Sequence, residues 1–416
     1  MAQKTRSLTR EDLIIFAYDH CLAVYNVAQN YTKEQLMREL QHHLGQDALL
    51  FSEDGRLIRN KTALHAPRPE FDATFLKELT MPKGVVKLRD NFYVPREADR
   101  RLFQEIVTNG TTIAIRAPRQ AGKTSLLARG VSQANGENFK VVTLDFQEFS
   151  GDSLSSLDNF LWEIADSLCN ELDLDETELE ATWQGKRSPQ RKLKQFMEKQ
   201  VLSAFTEPLI LAIDEADAIL ESDFSTEFFA MLRVWHNARA GMKGELWNKL
   251  NLVLVISTEP SLLIENSSQS PFNVATIIEL RDFNGQQVQD LSQRYHLSLN
   301  QTDLAAMLTW LGGQPYLTRQ AMYTMAKERL SWSQLNAMTQ QNYAPFTDHL
   351  QHQYRYVANN PALQNALKEV MRRHNCKDFN IRQRLIDAGI LMQLERDSYD
   401  FRCELYRLYF EQRLGR

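Results

Sequence analysis

A chain of 416 residues, 43% of them hydrophobic, holds material for two to four structural units rather than one core. Its 48 Lys and Arg against 53 Asp and Glu leave a formal charge of −5, which excludes a protein devoted to coating nucleic acid or anionic membrane and confines any such contact to a local patch. Cys21, Cys169, Cys376 and Cys403 are too scattered for a zinc or redox motif, and no apolar stretch is long enough to span a bilayer or serve as a signal peptide; the expectation is a cytoplasmic protein with free thiols and no membrane contact.

From Leu8 to about Leu44 helix formers dominate, with Leu13, Phe16, Ala17 and Cys21 at helical spacing. FSEDGRLIRN then reads as a turn between short extended pieces, and APRPEF as a loop, because each proline disfavours helix in the residue before it. Residues 1–80 are thus expected to form a small, mainly helical unit and a linker. Its apolar stripe reads as core or, alternatively, as an adaptor surface.

Over residues 81–283 short apolar runs alternate with amphipathic helices. TTIAIRA, FKVVTLDF, PLILAIDEAD, LNLVLVIST and VATIIEL are the runs; GKTSLLARGVSQA, LDNFLWEIADSL and TEFFAMLRVWHNARA are among the helices. Continuous apolar strands alternating with helices predict an α/β fold with a five-stranded parallel sheet covered on both faces. Residues 284–345 read as helices only. Over 346–416, helices give way to two short strands around an RDS turn and a last helix, LYRLYFEQRL, the order of a winged helix.

Chemistry concentrates in the sheet region. RAPRQAGKTSLL follows the strand TTIAIR and approximates the phosphate-loop pattern G-x-x-x-x-G-K-[ST], with Ala117 in place of the first glycine. Arg119, Gln120, Ala121 and Gly122 would wrap phosphates, Lys123 would place a cation on the β and γ groups, Thr124 would offer a hydroxyl to Mg²⁺, and Ser125 would continue the helix whose free N–H groups face the anion. Ala117 suffices where the local φ is negative. The plain alternative is a helix start that contains GKT by chance.

In LILAIDEAD, Asp214 and Glu215 end a buried strand, where carboxylates are costly without a metal or polar partners. Asp214 would hold Mg²⁺ through its water shell and Glu215 would act as base on the attacking water; the alternative is an acidic cap on the next helix. Ser257 and Thr258 end LVLVIST, where Thr258 could contact the γ-phosphate or be an ordinary strand-end hydroxyl.

Taken with MPKGVVKLRDNFYVPREADRR, FFAMLRVWHNAR, SPFNVATIIEL, GGQPYLTRQAMY and CELYRLYFEQRL, these stretches resemble, from about Met81 to the end, the AAA-like P-loop ATPases common in cyanobacterial proteins, related to the STAND signalling ATPases and to initiator-type ATPases. The resemblance implies ATP/ADP and Mg²⁺ as ligands. It makes residues 284–345 a helical lid. It implies that Val94, Pro95 and Arg96 in YVPRE embrace adenine with Glu97 bracing the loop, although Pro95 replaces a glycine and a plain helix start reads the same. It also implies that Pro315 and Tyr316 in GGQPY touch nucleotide, although the glycines and proline would break a helix for local reasons too. Thr258 is followed by Glu259 and Pro260 rather than by the arginine frequent in STAND proteins. That leaves Arg233 and Arg319 as cations for the γ-phosphate, or as ordinary surface residues.

The function expected on this reading is an ATP-hydrolysing switch that couples nucleotide state to self-association or to an effector reached through the amino-terminal unit. Second to it stands DNA binding by the winged helix through Arg372, Arg373, Lys377, Arg382, Arg384 and Arg402, a patch diluted by Asp378, Asp387, Asp397 and Asp400. A third reading, nucleotide bound as a structural element, leaves Glu215 without a purpose.

Overall fold

The computed structural model describes residues 79–257, 270–395 and 398–415, together with 32–44, 49–51, 57–59, Leu13, Ile14, Ala17 and Phe75. Much of the expected amino-terminal helical unit lies outside the described residues, and so does Thr258. The chain divides into two compact units, one of Met1–Arg100 with Phe283–Thr347, the other of Arg101–Asp282 with Asp348–Arg416. The stretch around YVPRE is therefore grouped with the helices that follow Phe283, and the carboxy-terminal helices with the sheet.

The first unit contains α1 (Lys33–Leu44), the antiparallel pair β1 (Leu49–Phe51) and β2 (Leu57–Arg59), and the start of α2 (Glu97–Ile106). The β1–β2 pair supplies extended pieces expected around FSEDGRLIRN, and the turn between them lies outside the described residues.

The second unit is built on β3 (Thr112–Arg116), α3 (Lys123–Gly136), β4 (Lys140–Asp145), α4 (Leu157–Glu171), α5 (Glu176–Trp183), α6 (Pro189–Phe196), β5 (Leu209–Asp214), α7 (Ser225–Ala238), α8 (Gly244–Trp247), β6 (Leu250–Ile256) and β7 (Thr276–Glu279). The five strands pair in parallel in the order β4-β5-β6-β3-β7. Every residue of β5 and β6 is buried, which is why these strands read as unbroken apolar runs. On one face Phe146, Phe160 and Phe228 meet edge to face, at 5.1 to 5.5 Å between ring centres. Burying each such ring contributes roughly 1.5–3 kcal/mol.

Helices α9 (Gly285–Arg294), α10 (Gln301–Leu311), α11 (Pro315–Glu328) and α12 (Trp332–Asn342) complete the first unit. Stacked pairs hold it to the segment before α2: Phe92 lies on Tyr295 and Phe75 on His296, each at 4.0 Å.

At the carboxy terminus α13 (Thr347–Ala358), α14 (Pro361–Arg373) and α15 (Phe379–Asp387) precede the antiparallel hairpin β8 (Leu391–Glu395) and β9 (Ser398–Phe401) and the final α16 (Glu404–Leu414). This module is anchored to the sheet unit by Arg402, whose guanidinium grips both oxygens of Asp282. Gly389, at φ 74°, sits so close to the loop after β3 that a Cβ there would lie 2.9 Å from the Cβ of Pro118. Among the described residues no helix is long and apolar enough to cross a membrane, and Cys169, Cys376 and Cys403 are free and buried.

Candidate functional site

Strand order creates the site. β6 lies between β5 and β3, so the ends of three neighbouring parallel strands bring together the loop after β3, the acids after β5 and Ser257 after β6. In the loop, Gln120 and Gly122 take positive φ, 61° and 96°, and Ala117 is not among the residues that do. The first-glycine position therefore needs no left-handed backbone, and alanine serves there. Ala117 instead donates its N–H toward Ile256 O on the neighbouring strand, 3.4 Å away, and Ala121 closes a turn on Pro118 O at 3.3 Å. Gly122 caps α3 with no side chain over its first N–H groups, and Ser125 in that first turn is buried.

Lys123 is 5% exposed, and its Nζ donates to Ser257 Oγ at 2.7 Å. Burial lowers its proton affinity below the ordinary lysine range, against the opposing pull of Glu215, Asp217 and Asp214. Asp214 is 4% exposed; burial raises its carboxyl above the usual range, against hydrogen bonds from the Thr124 hydroxyl and the Glu215 N–H. Glu215 is raised by the same desolvation, with Lys123 opposing. It adopts φ 48° and ψ 41°, a left-handed backbone costing about 1–3 kcal/mol for a non-glycine residue and held here by the turn that follows. Arg119 lies close enough to act on the charges of Lys123 and Glu215.

Thr124 and Asp214 are the residues that fit a divalent cation. Mg²⁺ characteristically takes one or two carboxylates, with phosphate oxygens and water completing its shell, and a hydroxyl bonded to a buried carboxylate is such a partial set. Among the described residues no group of three or more His, Cys, Asp or Glu side chains forms a complete protein cage.

The remaining candidates are carried by other elements. Arg233 is on α7 eight residues past Ser225, roughly 12 Å along the helix. One turn further, His236 shares a hydrogen bond with Thr112 at the start of β3, the end opposite the phosphate loop. The Nε and Nη1 of Arg233 are buried and find no hydrogen-bond partner among the described residues. Arg319 belongs to the first unit, where its Nη2 meets Thr80 Oγ1 at 3.3 Å and Asp90 Oδ2 at 3.7 Å and its guanidinium lies over the Phe92 ring. Pro315 opens α11, capped by Gln314, with half-buried Tyr316 beside it. In the same unit Val94, Pro95 and Arg96 are buried, and Arg96 lies over the Phe283 ring. Gln287 donates to Pro95 O. Glu97 is exposed and pairs with Arg100, and the bracing carboxylate of that loop is Asp99, which accepts from Arg96 N and from the Tyr93 hydroxyl.

The sequence reading names Ser257 beside Thr258 but misses Asp217, whose Oδ2 accepts the Ser257 N–H at 3.0 Å. An acid three residues after the strand-end aspartate was the available signal.

The sequence pattern of the AAA-like domain family matches residues 81–412. The chain belongs to that family. The structure of this AAA-like domain is similar to the Walker-type ATPase of Pyrococcus abyssi, with a TM-score of 0.56 and 13% identity over 79% of this chain and 98% of that one, so the two share a fold. The ORC2 protein of Aeropyrum pernix, solved with ADPNP and ADP, matches at a TM-score of 0.43 and 13% identity over 77% of this chain and 93% of its own. An uncharacterized WD repeat-containing protein of Synechocystis sp. is 30% identical over 259 residues, 60% of this chain. The AAA-like chain spans only 21% of the length of that relative.

Proposed function

We propose that this AAA-like domain binds ATP with Mg²⁺ at the loop after β3, hydrolyses it, and acts as a nucleotide-dependent switch. The observation that supports this reading is the cluster of buried Lys123 and Asp214 with half-buried Thr124 and Glu215 around the ends of β3 and β5, the two neighbours of β6, a cation and two carboxylates desolvated together beside an uncapped helix N-terminus. In this mechanism Lys123 exchanges Ser257 for the β- and γ-phosphates, while Arg119 to Ser125 supply backbone and charge around them. Thr124 and Asp214 would hold the Mg²⁺, which would neutralise charge on the phosphates. Glu215 orients the attacking water and takes its proton. The adenine contacts of Val94, Pro95 and Arg96, the lid contacts of Pro315 and Tyr316, and γ-phosphate contacts by Thr258, Arg233 or Arg319 belong to the proposal through the family resemblance. The deciding experiment is phosphate release: the wild type turns over and Glu215→Gln does not while still binding Mg-ATP. Equal turnover by both rejects the hydrolytic role.

The output we assign is self-association or engagement of an effector through the residues before 81. Light scattering on Glu215→Gln checks it, a larger particle with Mg-ATP than with Mg-ADP being the expected result.

DNA binding by residues 346–416, read as a winged helix, is the second proposal, and it is favoured by the exposure of Arg372, Arg373, Lys377 and Arg384. Two of the nominated arginines are committed elsewhere. Arg402 is buried on Asp282, and Arg382 donates to Cys376 O while stacking on Tyr399. The test is salt-sensitive binding to duplex DNA that Arg372→Glu with Arg384→Glu abolishes; no binding to duplex DNA rejects it.

A further inference from the structure

Asp217 stands in the 3-10 turn Ala216–Ile219 that follows Glu215. That turn closes when Ala218 N–H donates to Glu215 O at 2.8 Å, and it folds the chain over the end of the neighbouring strand β6. There the Asp217 carboxylate accepts the Ser257 N–H at 3.0 Å. The Ser257 hydroxyl in turn accepts from Lys123 Nζ at 2.7 Å. Three segments far apart in sequence thus meet in one chain of contacts, Asp217 to Ser257 to Lys123. The Asp217 charge also acts on both Lys123 and Glu215, so it lies beside the cation and the base at once.

We infer that Asp217 is a positioning residue for ATP hydrolysis, fixing the end of β6 so that the Ser257 hydroxyl faces the phosphate-loop lysine. A carboxylate accepting a peptide N–H makes a short, charge-assisted bond that sets both the position and the direction of the strand end. Without it, Ser257 would be carried by a strand end leading directly into the segment after β6. Lys123 must leave Ser257 to reach a phosphate, so a hydroxyl held at a defined place provides the lysine with a resting partner and then faces the γ-phosphate once the lysine has moved. A misplacement of about 1 Å at a reacting centre costs rate, and a group that acts in the transition state costs kcat when loosened. This rests on the ATPase reading above.

The test is a double-variant cycle on the full chain, with Mg-ATP affinity measured by calorimetry and turnover by phosphate release. If Asp217 acts through Ser257, Asp217→Ala and Ser257→Ala each lower kcat by ~10-fold or more, and the double variant is no slower than the worse single one, since removing the hydroxyl leaves nothing to position. Mg-ATP affinity stays within about threefold throughout. Asp217→Asn, whose amide oxygen still accepts the Ser257 N–H, recovers most of the kcat lost in Asp217→Ala, and it provides the same comparison with Ser257→Ala should the alanine variant fail to fold. Asp217→Ala at wild-type kcat, or effects that multiply to ~100-fold in the double variant, overturn the inference while leaving the ATPase reading intact. A wild type that binds no Mg-ATP defeats both, and the binding measurement separates that failure from the first.

Discussion

Two cations are buried in the sheet unit, and burial has opposite consequences for them. Lys123 is desolvated among three carboxylates and its proton affinity still falls, with a serine hydroxyl as its hydrogen-bond partner. For Arg402 desolvation also works against the charge, but Asp282 more than offsets it through a two-pronged ion pair, and its proton affinity rises. The arginine is closed on its partner and holds the carboxy-terminal module in place. The lysine, with three carboxylates nearby, gives its hydrogen bond to a neutral, exchangeable hydroxyl instead. Burial alone therefore does not mark a functional charge; what marks it is burial with an exchangeable partner beside a helix N-terminus.

Breaking the two cations should separate these roles. Lys123→Ala should weaken Mg-ATP binding by ~100-fold or more with an intact fold, seen by calorimetry and by unchanged thermal melting without nucleotide. Arg402→Ala should leave Asp282 partly buried and unpaired and lower stability by about 3 kcal/mol, seen in denaturant unfolding. Glu215→Gln sharpens the functional side of the contrast, with phosphate release falling ~100-fold or more and Mg-ATP affinity holding within severalfold.

Gly389→Ala probes the structural side more gently. An added Cβ at φ 74° would meet Pro118 and Arg402, at 2.9 and 2.8 Å. Stability should fall by about 2 kcal/mol, measured by denaturant unfolding. The smallest effect at neutral pH belongs to His349, which shares a 2.6 Å hydrogen bond with the Tyr406 hydroxyl. Burial, with His352 and Arg402 adding to it, holds its imidazole down at about 3, below the usual 6.5. A base depressed in the folded state takes up its proton first in the unfolded chain. Its contribution is therefore complete above pH 6.5 and is lost as pH falls from there toward 3. His349→Gln should flatten that acid limb of the stability curve, as measured by urea unfolding at a series of pH values.

The sheet and the phosphate loop were legible because their signals are local. Unbroken apolar runs such as LILAID and LNLVLVI can satisfy their burial only in a doubly covered sheet, and GKT after one such run has few other uses. Ala117 could be reconciled from the backbone requirement of its position alone. Contacts made across the chain were not legible. The contact of Arg319 with Thr80 spans 239 positions. Arg402 read as a phosphate contact because nothing nearby in sequence shows Asp282, 120 positions away. Asp99 is found as a brace only through its contacts with Arg96 N and the Tyr93 hydroxyl, which the resemblance at Glu97 does not show. Asp217 acquires meaning once strand order sets the turn after β5 against the end of β6.

The central claim, that the buried cluster at the ends of β3, β5 and β6 receives the phosphates of ATP, is tested most directly by calorimetric titration of Mg-ATP into Glu215→Gln and into Lys123→Ala. Saturable binding to the first and none to the second is the predicted result. Equal binding by both, or binding by neither, contradicts it.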